Sequence, residues 1–451
     1  MTNTDADGGP SAPAPRPADP TTHRIGDVLT DPAADRRRAV LAAGALLLSV
    51  AAMGVFLIVT ASDYYLGDLR VFVSAPGWAA DGRLYEAVTR TGDGSVTIPY
   101  LYPPWVALAF APLSVLPFAL VAVLWTVAGV TALVVSVLLL SSLLSGRSAV
   151  RDPHLLSSAA WWSAGLLWIA PVRHCLYEGQ LSLLLLCAVV VAVWSARPVA
   201  GVLAGPAAAA KIVPVAAFAA VGSRGRGRLL WACAGAVVPI TVGWVVFPGQ
   251  SRDYFLGGVI MEGADRVGGV ATVANQSLRA ALSRFAGGDV GFGPLWIAGA
   301  ALLIGSAALV VARFRHDRVV LIWVPAAVAA ALFPLGWSHQ WIWLVPLLMW
   351  LRTGPLGDGR FARALVVLWF IGLAGPVIEV LLFVQRSNYV YARPLWQSVA
   401  GAAYPIGLLT TLLALSVIGR ADHRATAVSG EGDRRSTAAR GVPSGPAGSD
   451  G

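Results

Sequence analysis

The sequence predicts an all-α polytopic membrane protein, a multi-span helical bundle with extracytoplasmic loops and interfacial helices. Hydrophobic residues make up 57% of the 451 residues and charged residues only 13%, whereas about a quarter of the residues in a soluble domain are charged. The mean hydropathy is +0.69. Apolar runs recur along the chain, and about 20 apolar residues in a helix suffice to cross a bilayer.

The net charge of +9 comes almost wholly from arginine, placed in two tails and at the ends of apolar runs. This distribution indicates membrane topology, and we expect no binding of nucleic acid. The cysteines, Cys175, Cys187 and Cys233, have no paired spacing, which argues against a disulfide framework or a thiolate metal site. No carboxylate cluster has metal-ligand spacing, so we expect neither a metal nor another cofactor.

Two tails flank a central domain at 37–420. Residues 1–36 and 421–451 lack hydrophobic periodicity and are rich in small or polar residues, so we predict disordered cytoplasmic tails. An arginine cluster precedes the first apolar run, 39–61, as in a signal peptide. That run is long enough to span and no small-residue cleavage pattern follows it, which favours an uncleaved first helix with its amino terminus in the cytoplasm.

Alternating apolar runs and arginine-bearing loops predict about ten full spans in the plasma membrane. In chain order they are 39–61, 118–144, 156–170, 181–194, 229–247, 295–311, 319–335, 341–351, 362–384 and 395–418. Residues 105–116 are too short to span and predict a helix at the outer interface. Both termini then lie inside, and two large loops, 62–104 and 248–294, lie outside with a polar turn at 171–180.

Residues 199–221 do not fit this alternation as one span, because the arginine cluster at 223–228 that follows belongs inside. The segment contains Pro206, Pro214 and the only lysine, Lys211. Proline breaks a helix, and broken helices occur at membrane depth where they line a cavity. We therefore predict a hairpin of two half-helices, with both ends cytoplasmic and Lys211 toward the outer side.

The topology places nearly every isolated polar residue on the outer side, while the spans contain almost no ionisable group besides Lys211. An alternating-access transporter needs polar positions inside its spans. A site at the outer interface instead suits a reaction between a lipid-linked substrate and an exposed acceptor. The candidates are Asp63, Asp68, Tyr102, Glu178, Gln180, Lys211, Asn275, Gln276, His339 and Trp341.

Asp68 and Asp63 are candidates for a general base, since a carboxylate can accept the proton of an attacking hydroxyl. Both could equally be solvated loop acids or a helix cap. Asp68 is preferred because an amphipathic segment begins directly after it. Lys211, beside half-helix ends, suits a lipid phosphate, and the alternative is a lysine that snorkels to the interface.

The other candidates also have two interpretations. His339 is either an interface anchor or a hydrogen-bond donor to a phosphate or sugar. The Asn275-Gln276-Ser277 run matches the glycosylation triplet weakly and could as well line a cavity. Trp341 is one of several tryptophans at the outer end of the spans, where an aromatic face could stack against a sugar.

These motifs occur in the order known from one enzyme family. Asp68-Leu-Arg-Val-Phe72, Tyr85, Tyr100-Leu-Tyr-Pro-Pro104, Glu178-Gly-Gln180, the stretch around Lys211, Asn275-Gln-Ser-Leu278 and Ser338-His339 resemble glycosyltransferase family 87 over roughly residues 40 to 420. The resemblance implies a GT-C fold, with the catalytic aspartate in the first outer loop at Asp68. It also implies a polyprenyl-phosphate-linked sugar as donor, with its phosphate near Lys211 and His339.

From this resemblance we expect an inverting mannosyltransferase that extends a lipid-anchored glycan, such as a phosphatidylinositol mannoside, and forms an α-linkage, α-1,2 being the expected one. The expected partners are the lipid-linked donor, the glycan acceptor and membrane lipid. Two alternatives stay open. One is an arabinofuranosyltransferase that uses decaprenyl-phosphate arabinose, and the other is a flippase or transporter for lipid-linked sugars.

Overall fold

The computed structural model describes residues 32–62, 64–90, 97–148, 150–260, 266–267, 269–385, 387 and 389–417. The predicted tails lie outside these residues, apart from 32–36, which begin the first helix. Asp63 also lies outside them. The described chain is almost entirely helical, and its strands are the antiparallel pair Val88–Arg90 and Thr97–Pro99. The prediction of an all-α membrane protein is confirmed.

The helices follow one another in this order. The first half contains Pro32–Val59, Gly67–Ala80, Pro104–Ser114, Phe118–Ser145, Pro153–Leu166, Ala170–Glu178, Ser182–Trp194, Pro198–Ala210 and Val213–Gly222. The second half contains Arg226–Val246, Pro248–Phe255, Leu278–Ala286, Pro294–Arg313, Arg318–Leu332, the 3-10 helix Ser338–Trp343, Leu344–Thr353, Arg360–Ala374, Val377–Val384, Leu395–Gly401 and Ala403–Val417.

The structure does not reproduce the count of ten full spans. Among the described residues, four helices are long and apolar enough to cross a membrane. Three bent pairs raise the number to seven if each pair is one span, with bends of 71° before Ala170, 41° at Gly375 and Pro376, and 65° after Gly401. Hydropathy averages over a window and does not detect a bend, so it predicts a full span where the structure has a short or bent helix.

Local sequence explains where several helices begin and end. The carboxylate of Asp152 accepts hydrogen bonds from the amides of His154 and Leu155, at 2.9 and 3.4 Å, and so caps the helix that follows. Asp317 does the same for Val319 and Val320. Buried helices need such caps because their terminal amides have no partner within the helix.

The segment 198–222 is broken at Lys211, whose backbone is extended at φ −139° and ψ 145°. Its two ends meet, since Arg224 from just beyond one end donates to the carbonyl of Ser195, just before the other, at 3.2 Å. Gly205 packs so closely on the helix Arg226–Val246 that a Cβ there would lie 2.2 Å from the carbonyl carbon of Gly235. The orientation of this segment in the membrane stays a prediction.

The core centres on the helix Arg318–Leu332, which is buried on almost every face. Trp323 on that helix packs near Trp350, with ring centroids 6.2 Å apart, and both rings are fully buried. The broken segment and the helix Phe118–Ser145 both contact this central helix. A helix that is apolar on all sides is buried in the core of the protein, as this one is.

Candidate active site

A cavity of about 750 Å³ lies where residues 64–68 and 98–102 meet the broken segment and the loop that contains His339. Six candidates from distant parts of the sequence line it. They are Asp68, Tyr102, Glu178, Gln180, Lys211 and His339. The sequence predicted that these side chains converge, and the structure brings them into one site.

Asp68 lies in the first turn of the helix Gly67–Ala80, which we call the Asp68 helix. The residue before this helix, Leu66, has a left-handed backbone, with φ 55° and ψ 30°. Its amide donates to the carbonyl of Tyr177 at 2.8 Å. A non-glycine residue in this conformation is strained, and here the contact with Tyr177 fixes the Asp68 helix against the helix Ala170–Glu178.

Gly179 allows the helix Ala170–Glu178 to approach the Asp68 helix this closely. It ends the helix Ala170–Glu178 with φ 76°, and a Cβ there would lie 2.6 Å from the Cβ of Leu69. Only glycine combines this backbone with so close an approach. The Glu178-Gly179-Gln180 motif therefore places Gln180 directly beside Asp68.

The side-chain amide of Gln180 connects Asp68 to Lys211. Its Oε1 accepts from Lys211 Nζ at 2.8 Å and from the Tyr102 hydroxyl at 2.8 Å. Because an ammonium can only donate, it fixes the orientation of the amide. The Nε2 of Gln180 then donates to Asp68 Oδ2. Lys211 Nζ also lies 3.3 Å from the Ser182 hydroxyl and 5.3 Å from the centre of the Tyr102 ring.

This environment changes the acidity of Asp68. Burial, followed by the nearby negative charge of Glu178, raises the pKa of the Asp68 carboxyl from its ordinary 3.8 to about 7. The Gln180 hydrogen bond and the Lys211 charge act in the opposite direction and lower it. A carboxylate with a pKa near neutrality is suited to take a proton and release it again.

His339 is held by Glu178, whose Oε2 lies 2.6 Å from the ring Nδ1. An ionised carboxylate only accepts, so this contact places a hydrogen on Nδ1 and turns the Nε2 side of the ring away from Glu178. Glu178 and Gln180 thus orient the two groups expected at the donor phosphate, His339 and Lys211.

Three other candidates do not line the cavity. The amide of Asn275 donates to Pro334 O and accepts from the amides of Ser277 and Gly336. The amide of Gln276 donates to Val273 O and Gly401 O and accepts from Tyr404 N. Trp341 is fully buried and its Nε1 lies 3.3 Å from Gly336 O. Asn275 and Trp341 support the loop before His339, whereas Gln276 holds the backbone at Val273, Gly401 and Tyr404. We propose that all three position the site without touching substrate.

Sequence reasoning missed a second polar group in the same cavity, formed by Arg173, His174 and Glu379. Two expectations fail here. The stretch 171–180 is mainly the helix Ala170–Glu178 and not a turn. The predicted span 362–384 also contains Glu379, an exception to the expectation that the spans hold almost no ionisable group besides Lys211. The carboxylate inside an apolar run was the signal, since such residues are functional candidates by default.

The rest of the cavity wall is mainly apolar. It includes Ile98, Leu101, Val259, Phe333 and Leu382. A cavity that combines a few fixed polar groups with an apolar wall is typical of a binding site for an amphiphilic molecule.

The chain is similar to known glycosyltransferases. The model of glycosyltransferase family 87 matches residues 100–338, just over half of the chain. A polyprenol-phosphate-mannose-dependent alpha-(1-2)-phosphatidylinositol pentamannoside mannosyltransferase of Mycolicibacterium smegmatis is 36% identical over 76% of this chain and 83% of its own. The protein of the same description from Mycobacterium tuberculosis is 35% identical over 85% of this chain and 88% of its own.

A more distant relative from Mycolicibacterium smegmatis, a polyprenol-phosphate-mannose-dependent alpha-(1-2)-phosphatidylinositol mannoside mannosyltransferase, is 27% identical over 76% of this chain and 80% of its own. No solved structure matches the chain significantly. The family match and the two relatives above 30% identity lead to one conclusion: the chain belongs to glycosyltransferase family 87 and is a membrane glycosyltransferase.

Proposed function

We propose that the protein transfers mannose from polyprenyl-phosphate mannose to a phosphatidylinositol mannoside and forms an α-1,2 linkage with inversion at the outer face of the plasma membrane. The similarity to two polyprenol-phosphate-mannose-dependent alpha-(1-2)-phosphatidylinositol pentamannoside mannosyltransferases, at 36% and 35% identity, supports this donor, acceptor and linkage. The observation that carries the proposal is the joint placement of Asp68 and Lys211 on one amide in the cavity.

In the proposed reaction, Asp68 takes the proton of the acceptor hydroxyl as its oxygen attacks C1 of the mannosyl group. The new C1–O bond forms while the bond from C1 to the phosphate oxygen breaks, and the electron pair leaves with the polyprenyl phosphate. Attack from the face opposite the phosphate converts a β-linked donor into an α-linked product. Asp68 must be ionised at the start of this step.

The leaving phosphate already carries negative charge and needs stabilisation more than a proton. Lys211 lines the cavity and supplies it as a cation. His339 adds to it in its protonated form, which the Glu178 carboxylate at 2.6 Å favours, although burial lowers the pKa of the imidazole. A fixed cation acts without reorganisation during the reaction. The apolar wall accepts the first part of the polyprenyl chain.

The proposed outer location rests on the positive-inside rule. Arginines lie at the ends of the broken segment and in the loops around 147–151 and 313–318, opposite to the loop that contains Asp68. Labelling of single cysteines tests it. Ser223, just after the broken segment, and Asp253, in the segment 248–294, are both exposed, so each position can serve as a probe. With Cys233 replaced, Ser223→Cys must react only from inside and Asp253→Cys only from outside.

The decisive experiment uses membranes that contain wild type, Asp68→Asn or Asp81→Asn at equal expression, with radiolabelled polyprenyl-phosphate mannose and a phosphatidylinositol mannoside. Asp81 follows the same helix, is exposed and pairs with Arg83, so it is a matched control. We expect wild type and Asp81→Asn to transfer mannose. Asp68→Asn should lose about 100-fold or more, the usual contribution of a general base.

Other outcomes separate the alternatives. Transfer from decaprenyl-phosphate arabinose and none from the mannose donor would contradict the proposed sugar. Translocation of a lipid-linked sugar without bond formation, and with Asp68→Asn tolerated, would contradict the enzyme proposal. Digestion of the product by an α-mannosidase specific for 1,2 linkages tests the anomer and the linkage.

A further inference from the structure

Arg173, His174 and Glu379 form a second polar group in the cavity, here called the Glu379 cluster. His174 Nε2 lies 2.9 Å from Glu379 Oε1, and Arg173 Nη2 donates to the same oxygen. The other side of the His174 ring contacts the hydroxyl of Ser338, next to His339. Arg173 Nη1 also donates to the carbonyl of Trp168 at 2.9 Å. The carboxylate is therefore fixed by two charge-assisted contacts.

Within this cluster Glu379 has the most exposed side chain, and its second carboxylate oxygen, Oε2, is buried without a hydrogen-bond partner among the described residues. The Glu379 side chain is 36% exposed, against 8% for Arg173 and 17% for His174. All three side chains line the cavity that substrates must enter, and Oε2 of Glu379 is the acceptor of the cluster that the described part of the protein leaves unpaired. An ion pair that served only to join two helices would not need to face a cavity.

The spacing along the helix Ala170–Glu178 relates the cluster to the reacting groups. His174 and Glu178 are one helical turn apart and lie on the same face, about 6 Å from each other along the axis. His174 contacts Ser338, and Glu178 contacts the adjacent His339. The Glu379 cluster thus lies about one sugar ring away from the residues proposed to meet the donor phosphate.

The charge of the cluster indicates which chemistry it recognises. A carboxylate repels phosphate, so Glu379 is a poor neighbour for the anionic part of the donor. It is a strong acceptor for hydroxyl hydrogens, and a fixed carboxylate gives such hydrogen bonds direction. The tyrosines Tyr64 and Tyr177, which line the same cavity, provide aromatic surface for the face of a sugar.

We propose that the Glu379 cluster is a sugar-hydroxyl subsite, in which Glu379 accepts a hydrogen bond from a hydroxyl of a mannose residue while Arg173 and His174 fix its carboxylate. The subsite deepens the proposed mannosyl transfer and rests on it. The sugar is either the mannosyl group of the donor or the terminal mannose of the acceptor, since both present the same hydroxyl chemistry.

The test is a cycle between enzyme variants and substrates that lack single hydroxyls. Wild type, Glu379→Gln and the exposed loop control Glu86→Gln are assayed with monodeoxy mannosyl donors and, separately, with monodeoxy mannoside acceptors. For one hydroxyl, removal should raise KM about tenfold or more in wild type and in Glu86→Gln. Removal of the same hydroxyl should raise the KM of Glu379→Gln only slightly, because this variant has already lost the carboxylate that accepts its hydrogen bond.

If the rise in KM disappears in Glu379→Gln for the deoxy donors, the sugar in the subsite belongs to the donor. If it disappears for the deoxy acceptors, the sugar belongs to the acceptor. The subsite would be overturned if removal of each hydroxyl raised KM equally in wild type and Glu379→Gln. A fall in kcat in Glu379→Gln without any change in these KM ratios would overturn it as well. Glu379→Asp, which keeps the charge beside Arg173, gives the same comparison if the amide destabilises the protein. Absence of transfer by wild type would instead contradict the proposed function itself.

Discussion

Lys211 and Asp68 contact the same side-chain amide, that of Gln180, from its two ends. Lys211 Nζ donates to Oε1 at 2.8 Å, and Nε2 donates to Asp68. The group proposed to hold the leaving phosphate and the group proposed to take the proton are therefore positioned by one residue. A change in Gln180 should affect both functions together.

We expect Gln180→Leu to lower kcat/KM by about 10- to 100-fold, because the variant loses two hydrogen bonds to charged groups. The Gln180 hydrogen bond lowers the pKa of Asp68, so its removal should also move the acidic limb of the pH profile upward. Gln250→Leu is the matched control, since it removes a buried amide contact with Ala79 O outside the cavity. Equal effects in both variants would contradict the connecting role.

The activity should depend on pH through Asp68, which must be ionised to act as a base. Its pKa of about 7 means that kcat/KM rises with pH through neutrality. At pH 6 about a tenth of the sites are ionised, and at pH 8 about nine tenths. The measurement is kcat/KM in solubilised enzyme between pH 5 and 9. A profile that is flat below pH 7 would argue against Asp68 as the base.

Gly179→Ala should impair both stability and activity. The new Cβ would approach Leu69 Cβ to 2.6 Å at a φ of 76°, so the contact that places Gln180 beside Asp68 has to open. We expect a loss of about 1–3 kcal/mol in stability, together with a clear loss of transfer.

Gly146→Ala separates the two causes of this loss. Gly146 also ends a helix with a left-handed backbone, at φ 67°, but a Cβ there would meet nothing within 4 Å. This control carries the backbone strain without the collision. We expect it to lower the melting temperature modestly and to leave transfer intact. Inactivation of Gly146→Ala to the same degree would show that backbone strain alone explains the effect at Gly179.

Asn275→Ala should impair use of the donor without direct contact to substrate. Its amide holds Pro334 O and Gly336 N, so the loop that leads to His339 loses its support. We expect a higher KM for the donor and a loss of about 2–4 kcal/mol in stability, as for other buried polar groups left unpaired.

Gln276→Ala is the companion variant. Its amide contacts Val273, Gly401 and Tyr404, but not the loop before His339. It should lower the melting temperature to a similar degree while changing the KM for the donor less. Identical kinetic effects in the two variants would indicate a general loss of packing and would contradict a specific positioning role for Asn275.

The sequence by itself determined the fold class, the family and most of the polar wall of the cavity. Hydropathy reports membrane insertion because the cost of entering lipid depends mainly on local composition. The Glu178-Gly179-Gln180 motif and Lys211 are rare polar features in an apolar chain, so they stood out without a structure. Their convergence followed from topology, because loops on one side of a membrane share one compartment.

Only the tertiary structure decided which side chains meet and which turn away. Glu379 pairs with Arg173 across 206 residues of sequence, and the bends at Ala170 and at Pro376 are invisible to a hydropathy average. Asn275 and Gln276 were expected to meet substrate, yet the backbone takes up their hydrogen-bonding groups. A polar residue type indicates that a partner is needed, but packing alone determines whether that partner is substrate or backbone.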